Sequence, residues 1–453
     1  MADSAQAGGI IAGAPDHDPA SASATQVENG TGAAGYDAAI VGASLAGCTT
    51  AILLARAGAR VALVEQRPDA NAFKRICTHY IQSSAIPTLE RLGLLERMMQ
   101  VGALRGRPRL WTRWGWIEPP ARSSVPMGVN LRRERLDPLI RQLATETPGV
   151  ELILGHAVRE LVREGGSVCG VQARDPQGET LTLRARLIVG ADGRDSRVAK
   201  LAEVPTRTKR HGRFAYGGYF EGPRPVTHPD PALWLLDPDM VAAFPTDSDL
   251  TFYAVMPSME RLPEFRADPE AALKAMVASV PEAPPILASR LVGEVTGKID
   301  MTTVTHTPTA PGLALAGDAA GALDPLWGIG CGFAFQSAEW LADSVAPALL
   351  GAESLEQGLE RYRRRYGRRL RGHTAMITGY SSARKLDRGE RLLFSAATRD
   401  ERMARTFEAF GSRNIGPTRM MVSGVPRAVF VNARYALSRR ASQPVRPAES
   451  RSA

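Results

Sequence analysis

With 453 residues, 44% hydrophobic and 23% charged, the chain has the composition of a globular protein large enough for two intertwined domains, not of a disordered or fibrous one. Its formal charge of +9 does not point to nucleic acid, because only six of the 56 basic residues are Lys and the Arg are dispersed among 47 acids. No apolar run reaches the roughly 18–20 residues of a membrane span. The four cysteines, Cys48, Cys77, Cys169 and Cys331, have neither disulfide nor metal-site spacing, which fits a reducing cytoplasm.

In chain order, residues 1–34 are rich in Ala, Gly, Ser and Asp and lack a basic stretch ahead of an apolar one, so they read as a flexible tail and not as an export signal. Residues 36–41 are strand-like, 45–58 are helical with small residues at packing positions, and 59–64 form a second apolar strand ending in Glu65. Together they make a βαβ unit of about 30 residues. Helical spacing recurs over 86–101 and 133–146, and the Trp-dense stretch 110–120 between them reads as a hairpin. Residues 150–192 predict an antiparallel meander, 214–256 a second strand-rich block, and 269–279 a helix; the stretch to 317 is strand-like again. From 332 to 350, and intermittently to about 410, the pattern is helical. The Arg-rich run 361–371 and the segment 434–451 read as a solvated face and a chain end, and Met420 to Leu437 either closes the fold as a packed helix or lies on a membrane surface.

Three glycine segments, each following an apolar strand-like run, carry the chemistry: Gly42-Ala43-Ser44-Leu45-Ala46-Gly47, Gly190-Ala191-Asp192-Gly193 and Gly317-Asp318-Ala319-Ala320-Gly321. A dinucleotide's diphosphate needs bare backbone N–H groups at a helix start, which only small residues permit. Gly42 supplies the tight turn, Ala46 and Gly47 let the helix lie on the strand, and Ser44 stands where the fingerprint has its middle glycine. Glu65, 23 residues after Gly42, sits where a carboxylate accepts from ribose hydroxyls. A later run, Asp324-Pro325-Leu326-Trp327-Gly328-Ile329-Gly330-Cys331-Gly332, has glycines at every second position, each unfavourable inside a helix by about 1 kcal/mol. They make sense as bare N–H groups offered to a ligand where the next helix begins.

Taken in this order, these segments resemble the fingerprints of the para-hydroxybenzoate hydroxylase-like flavoprotein superfamily over residues 36 to about 345. The resemblance implies an α/β fold with a Rossmann-like FAD-binding domain (35–110, 128–204 and 300–345) interleaved with an antiparallel-sheet substrate domain (111–127 and 205–299). A C-terminal helical region (346–435) and a second flexible tail (436–453) would follow. It implies FAD as cofactor, held by Ser44 and Gly47 at the diphosphate, Glu65 at the adenosine ribose, Asp192 and Gly193 in the middle segment, and Gly317 and Asp318 at the ribityl chain. Arg75 matches a family arginine near the diphosphate and nicotinamide path. Arg133, in Arg133-Glu134-Arg135-Leu136-Asp137, matches an element that opens a helix by the flavin. Pro325, Gly328, Gly330, Cys331 and Gly332 form the expected ring-binding loop.

The superfamily's hydroxylases use NADPH or NADH and O2, forming a flavin hydroperoxide that hydroxylates or epoxidises a substrate, here expected to be an apolar or aromatic small molecule. A rival reading is an FAD-dependent reductase of an isoprenoid or other alkene, because the third segment and Cys77 look like those of geranylgeranyl reductases. A non-catalytic flavin-binding protein is the third. Halogenation is rejected: Trp114-Gly115-Trp116-Ile117-Glu118-Pro119 is misplaced for the halogenase element, and no lysine lies between Lys74 and Lys200. Trp111, Trp114, Trp116, Tyr216, Tyr219, Trp234 and Phe244 either wall a substrate pocket or fill a core. His79 is the candidate acid–base residue, Arg75 and Cys77 its candidate catalytic neighbours.

Overall fold

The computed structural model describes residues 35–120 and 122–441. Its central layer is a parallel sheet in the order Leu313–Leu315, Thr180–Gly190, Tyr36–Val41, Val61–Glu65, Val150–Leu154. The two strands of the βαβ unit are continuous apolar runs because both of their faces are covered. The helix Leu45–Arg56 packs on one face, eleven of its twelve residues buried, sandwiched against the 20-residue helix Gly330–Leu349. The meander expected over 150–192 begins only at Ala157, since Val150–Leu154 pairs in parallel with Val61–Glu65. The long strand Thr180–Gly190 serves both layers, its first half antiparallel to Ser167–Arg174 and its second half inside the parallel sheet.

A second, seven-stranded sheet runs Arg290–Lys298, Ala215–Glu221, Leu250–Met256, Met240–Pro245, Ala232–Leu235, Arg109–Thr112, Gly115–Ile117. The Trp-dense hairpin therefore joins the strand-rich block although about 120 residues separate them in the chain. All contacts in this sheet are antiparallel except that between Arg109–Thr112 and Ala232–Leu235. Its residues alternate between two cores, as the two-residue period of a strand requires. Leu110, Ile117, Leu233, Phe244, Phe252 and Met256 face one way, toward Tyr380, Phe394 and Met403 of the C-terminal helices. Trp234, Tyr253 and Val255 face the other, packed on Phe265, Leu273 and Met276 from the helices Leu262–Ala267 and Pro269–Ala278.

The C-terminal helices Leu355–Tyr380 and Arg388–Ala397 each start with a capping box, Ser354 with Gln357 and Asp387 with Glu390, and Asp400 caps Glu401–Gly411. In the Arg-rich run, Arg361 pairs with Glu353, and Arg363 and Arg364 both pair with Glu360, a solvated face laced by its own acids. The last helix, Val425–Ala441, leaves Val429, Phe430 and Leu437 more than half exposed. Among the described residues no helix is long and apolar enough to cross a membrane, and no group of His, Cys, Asp and Glu is arranged to hold a metal ion. The tail expected at 1–34 lies outside the described residues, as do residues 442–453 of the second; its first six residues, 436–441, instead continue the helix Val425–Ala441.

Candidate active site

A cleft of about 760 Å³ opens at the C-terminal ends of the parallel strands, between the two sheets, at the upper end of the ~300–1,000 Å³ range of ligand sites. All three glycine segments border it, through Gly42, Ser44 and Ala46, through Asp192 and Gly193, and through Asp318. Two glycines stand where a larger residue would destroy the loop. A Cβ on Gly42, whose φ is +103°, would lie 2.5 Å from the Ala191 carbonyl oxygen, and one on Gly47 would lie 1.8 Å from that of Gly42. Gly47 does not touch the cleft; it sets the helix against the loop. A Cβ on Gly317 would lie 2.8 Å from that of Ala46, so the third segment packs closely on the first.

Glu65 is buried and organises the first loop: one carboxylate oxygen accepts the Ala43 N–H at 2.9 Å and the other the Arg67 N–H at 3.1 Å. Ser44, the departure from the glycine fingerprint, accepts a hydrogen bond from Arg133 Nη2 at 2.7 Å. Arg133 is itself buried, its charge balanced by Asp137 one helical turn away. Asp192 borders the cleft, but both of its oxygens are engaged in starting the helix Arg197–Leu201, accepting from Ser196 Oγ at 2.6 Å and the Val198 N–H at 3.0 Å. Asp318 forms an ion pair with Lys74 at 3.0 Å. Burial pushes its carboxyl up, but Lys74, with the charges of Arg194 and Arg133, holds it below the usual carboxylate range. Arg75 is exposed at the rim of the cleft.

The loop 324–332 is anchored from the second sheet: Arg213, fully buried, pairs with Asp324 at 2.9 Å, and His211 Nε2 lies 2.8 Å from the same carboxylate. Pro325, Gly328, Gly330 and Cys331 line the cleft at the start of the helix Gly330–Leu349, whose free N–H groups and dipole favour negative charge there. Gly332 is small for a different reason. A Cβ there would lie 2.3 Å from Nη2 of Arg413, whose guanidinium stacks over Phe333 at 4.3 Å, donates from Nε to Gln82, and leaves Nη1 and Nη2 without a hydrogen-bond partner.

His79 is buried with φ +65°. Its Nδ1 accepts the Arg133 N–H at 3.0 Å, so the ring proton of the neutral imidazole is on Nε2 and is donated to Tyr219 Oη at 2.5 Å. Burial pushes its pKa down to about 4. His79 thus has no free lone pair for substrate, and any proton it moves passes through Tyr219. Cys77 and Cys331 meet in the cleft wall, Sγ to Sγ 3.6 Å.

Strand alternation divides the aromatic candidates. Tyr219 and Phe244 lie on the cleft side of the second sheet, and Trp114, at the tip of the hairpin, packs partly buried against the same core. Trp111, Trp116 and Trp234 lie on the opposite, helix-covered face, where Trp116 and Trp234 contact edge to face at 5.5 Å. Tyr216 borders the cleft, yet its ring stacks on Phe265 at 5.3 Å in that opposite core. Of the two readings open for these four, substrate wall or core, their rings take the core, because the pleat turns them toward the helices Leu262–Ala267 and Pro269–Ala278. In their place the cleft side offers Phe252, Tyr80 and Trp327. A smaller cavity of about 110 Å³, walled by Leu110, Ile117, Leu233, Phe244, Trp327 and Phe407, shares Tyr80 and Gly328 with the main cleft. Lys74, Arg213, Phe407 and Arg413 carry no motif, and nothing in the sequence singled them out.

The residues fit an FAD: bare N–H groups at two helix starts, close-packed glycines, and a cleft of matching size. Residues 35–375 match the family described as FAD binding domain. The chain is 25% identical over 346 residues to digeranylgeranylglycerophospholipid reductase 1 of Methanococcoides burtonii, covering 73% of this chain and 79% of that protein. It is 28% identical over 394 residues to kynurenine 3-monooxygenase of Salinispora tropica, covering 80% and 83%. It shares its fold with p-nitrophenol 4-monooxygenase PnpA of Pseudomonas putida, at a TM-score of 0.68 and 19% identity over 84% of this chain and 98% of that one. A family match over most of the chain, on a cleft built from the same three glycine segments, establishes that the protein belongs to the FAD-dependent oxidoreductases of the para-hydroxybenzoate hydroxylase-like group.

Proposed function

We propose that the protein is a cytoplasmic monooxygenase that takes electrons from NADPH or NADH and inserts one oxygen atom of O2 into an apolar, aromatic small molecule by hydroxylation or epoxidation. The observation that carries this reading is the apolar side cavity, which opens beside the ring-binding loop at Gly328 and is walled by Phe244, Trp327 and Phe407. Bound FAD supplies the redox chemistry and oxygen activation. The chain's own residues bind and orient. Ser44 and the loop N–H groups hold the diphosphate, Glu65 the adenosine ribose, and Asp318 the ribityl chain once Lys74 yields it.

The side cavity excludes water from a planar substrate, and the carboxylates at its edge are neutralised, Glu408 by Arg107 at 2.6 Å and Glu118 by Arg109 at 3.4 Å. His79 and Tyr219 keep one proton in the adjacent wall, on Nε2. Arg75 at the rim is placed to meet an incoming nicotinamide dinucleotide. The exposed apolar residues of the last helix, beside Arg427 and Arg434, suit at most a peripheral contact with a membrane surface.

Adding NADPH and a panel of phenols and fused aromatics to the flavin-loaded protein, with an oxygen electrode, tests the reading. Substrate-stimulated oxygen uptake with an oxygenated product supports it. Oxygen-independent saturation of an isoprenoid alkene supports the reductase reading instead, which Cys77 beside the ring-binding loop favours; flavin inert to both cofactors would make the protein a binding module.

A further inference from the structure

We propose that Cys77 and Cys331 are a modification site: a dithiol pair in the cleft wall that a peroxide converts to an intrachain disulfide. The two sulfurs are 3.6 Å apart although 254 residues separate them in sequence. They belong to different elements, Cys77 to the loop before Tyr80 and Cys331 to the first turn of the helix Gly330–Leu349. Both border the cleft, so a small oxidant that enters it reaches them. A disulfide needs an S–S distance of about 2.05 Å, so closure requires the loop and the helix start to approach by roughly 1.5 Å.

The two thiols are not equivalent. Cys77 Sγ accepts the His79 N–H at 3.2 Å and shares a thiol hydrogen bond with Cys331 Sγ, and among the described residues no such N–H reaches Cys331. The hydrogen bond with Cys331, assisted by the positive charges of Arg133 and Lys74, holds the Cys77 thiol well below its usual range against the opposing effect of burial. The same hydrogen bond, with burial, pushes Cys331 up. This is the division between an attacking and a resolving cysteine. The other two cysteines lack it. Cys48 is fully buried, which pushes its thiol up to about 12, and Cys169 sits on the meander strand Ser167–Arg174.

The steps balance. The Cys77 thiolate attacks one peroxide oxygen, the O–O bond breaks, and the released hydroxide leaves as water with the proton Cys77 gave up. The Cys331 sulfur then attacks the resulting sulfenic acid, the S–O bond breaks, and a second water departs with the Cys331 proton. The two thiols lose two electrons and hydrogen peroxide gains them. The inference depends on the flavoenzyme reading only for a source of peroxide, which an oxygen-reducing flavoenzyme releases when it turns over without substrate.

The test treats full-length protein, with and without FAD, with hydrogen peroxide, then alkylates it under denaturing conditions for mass spectrometry. We expect two of the four thiols to disappear, the chain to lose the mass of two hydrogens, a Cys77–Cys331 linked peptide, and full reversal by dithiothreitol. Cys331→Ser should stop at a Cys77 sulfenic acid that dimedone captures, and Cys77→Ser should leave Cys331 reduced at the same dose. A cross-link through Cys48 or Cys169, survival of all four thiols, or equal oxidation of Cys331 in Cys77→Ser overturns the proposal. A protein that takes up no FAD yet forms the link refutes the flavin reading alone.

Discussion

Arg133 donates from Nη2 to the hydroxyl of Ser44 at 2.7 Å, tying the helix Arg133–Thr145 to the middle of the first glycine loop while the same guanidinium neutralises Asp137. The serine is therefore the loop's link to the next element, and not merely a tolerated stand-in for glycine. Ser44→Ala should cost about 1–3 kcal/mol, the penalty of stranding a buried donor, and weaken FAD retention. Arg133→Met should cost more, about 3–5 kcal/mol, because Asp137 is left buried and unpaired. Urea unfolding and flavin release on dilution measure both; equal losses for the two variants would contradict the assignment.

Gly47 touches no part of the cleft, yet a methyl group there has no room, since it would lie 1.8 Å from the Gly42 carbonyl oxygen. Gly47→Ala should push the helix Leu45–Arg56 off its strand and yield protein that purifies without flavin colour, destabilised by about 1–3 kcal/mol or more. Visible absorbance per mole of protein reads the outcome, and near-normal flavin content would refute the packing argument.

The two faces of the second sheet should separate kinetically. Trp234 donates from Nε1 to the Pro281 carbonyl at 2.9 Å in the core away from the cleft, so Trp234→Phe should lower stability by about 1–3 kcal/mol and leave the substrate KM unchanged. Phe244→Leu, on the cavity side, should change kcat/KM by tenfold or more at a smaller stability cost, by steady-state kinetics with any substrate the oxygen-uptake screen identifies.

His79 titrates near 6.5 in an unfolded chain and, desolvated, only near about 4 in the folded one. Between those values the unfolded state binds the extra proton, so this histidine's contribution to stability is complete above about pH 6.5 and is lost as pH falls to 4. The shift corresponds to about 3 kcal/mol. Burial lowers His373 to about 4 as well, so the native protein should lose stability from both. His79→Asn, which tolerates the left-handed backbone, should flatten part of that slope in melting temperatures between pH 7 and pH 4.5. An unchanged slope would show that His79 titrates normally.

Much of the nucleotide site was legible in the chain, because glycines in tight turns report local backbone geometry. Gly42, Glu65, Asp318 and Gly328, singled out by spacing and by the family resemblance, all border or organise the cleft. The aromatic wall was legible only in part. Trp234 and Phe244 look alike as large residues on strands, and the difference between them is a pleat parity that depends on strand register. Gly332 was read as ligand-facing when the space beside it belongs to Arg413, from a helical region with no motif at all.

By itself, the sequence determined the order of strands and glycine turns, and with them the dinucleotide-binding core, because turn geometry and apolar periodicity are properties of neighbouring residues. Only the tertiary structure decided that Cys77 meets Cys331, that Lys74 pairs with Asp318, that Arg213 anchors the loop 324–332, and which aromatic rings face the cleft. Those are contacts between side chains distant in the chain, and they exist only once two sheets and the helix between them have packed in one register.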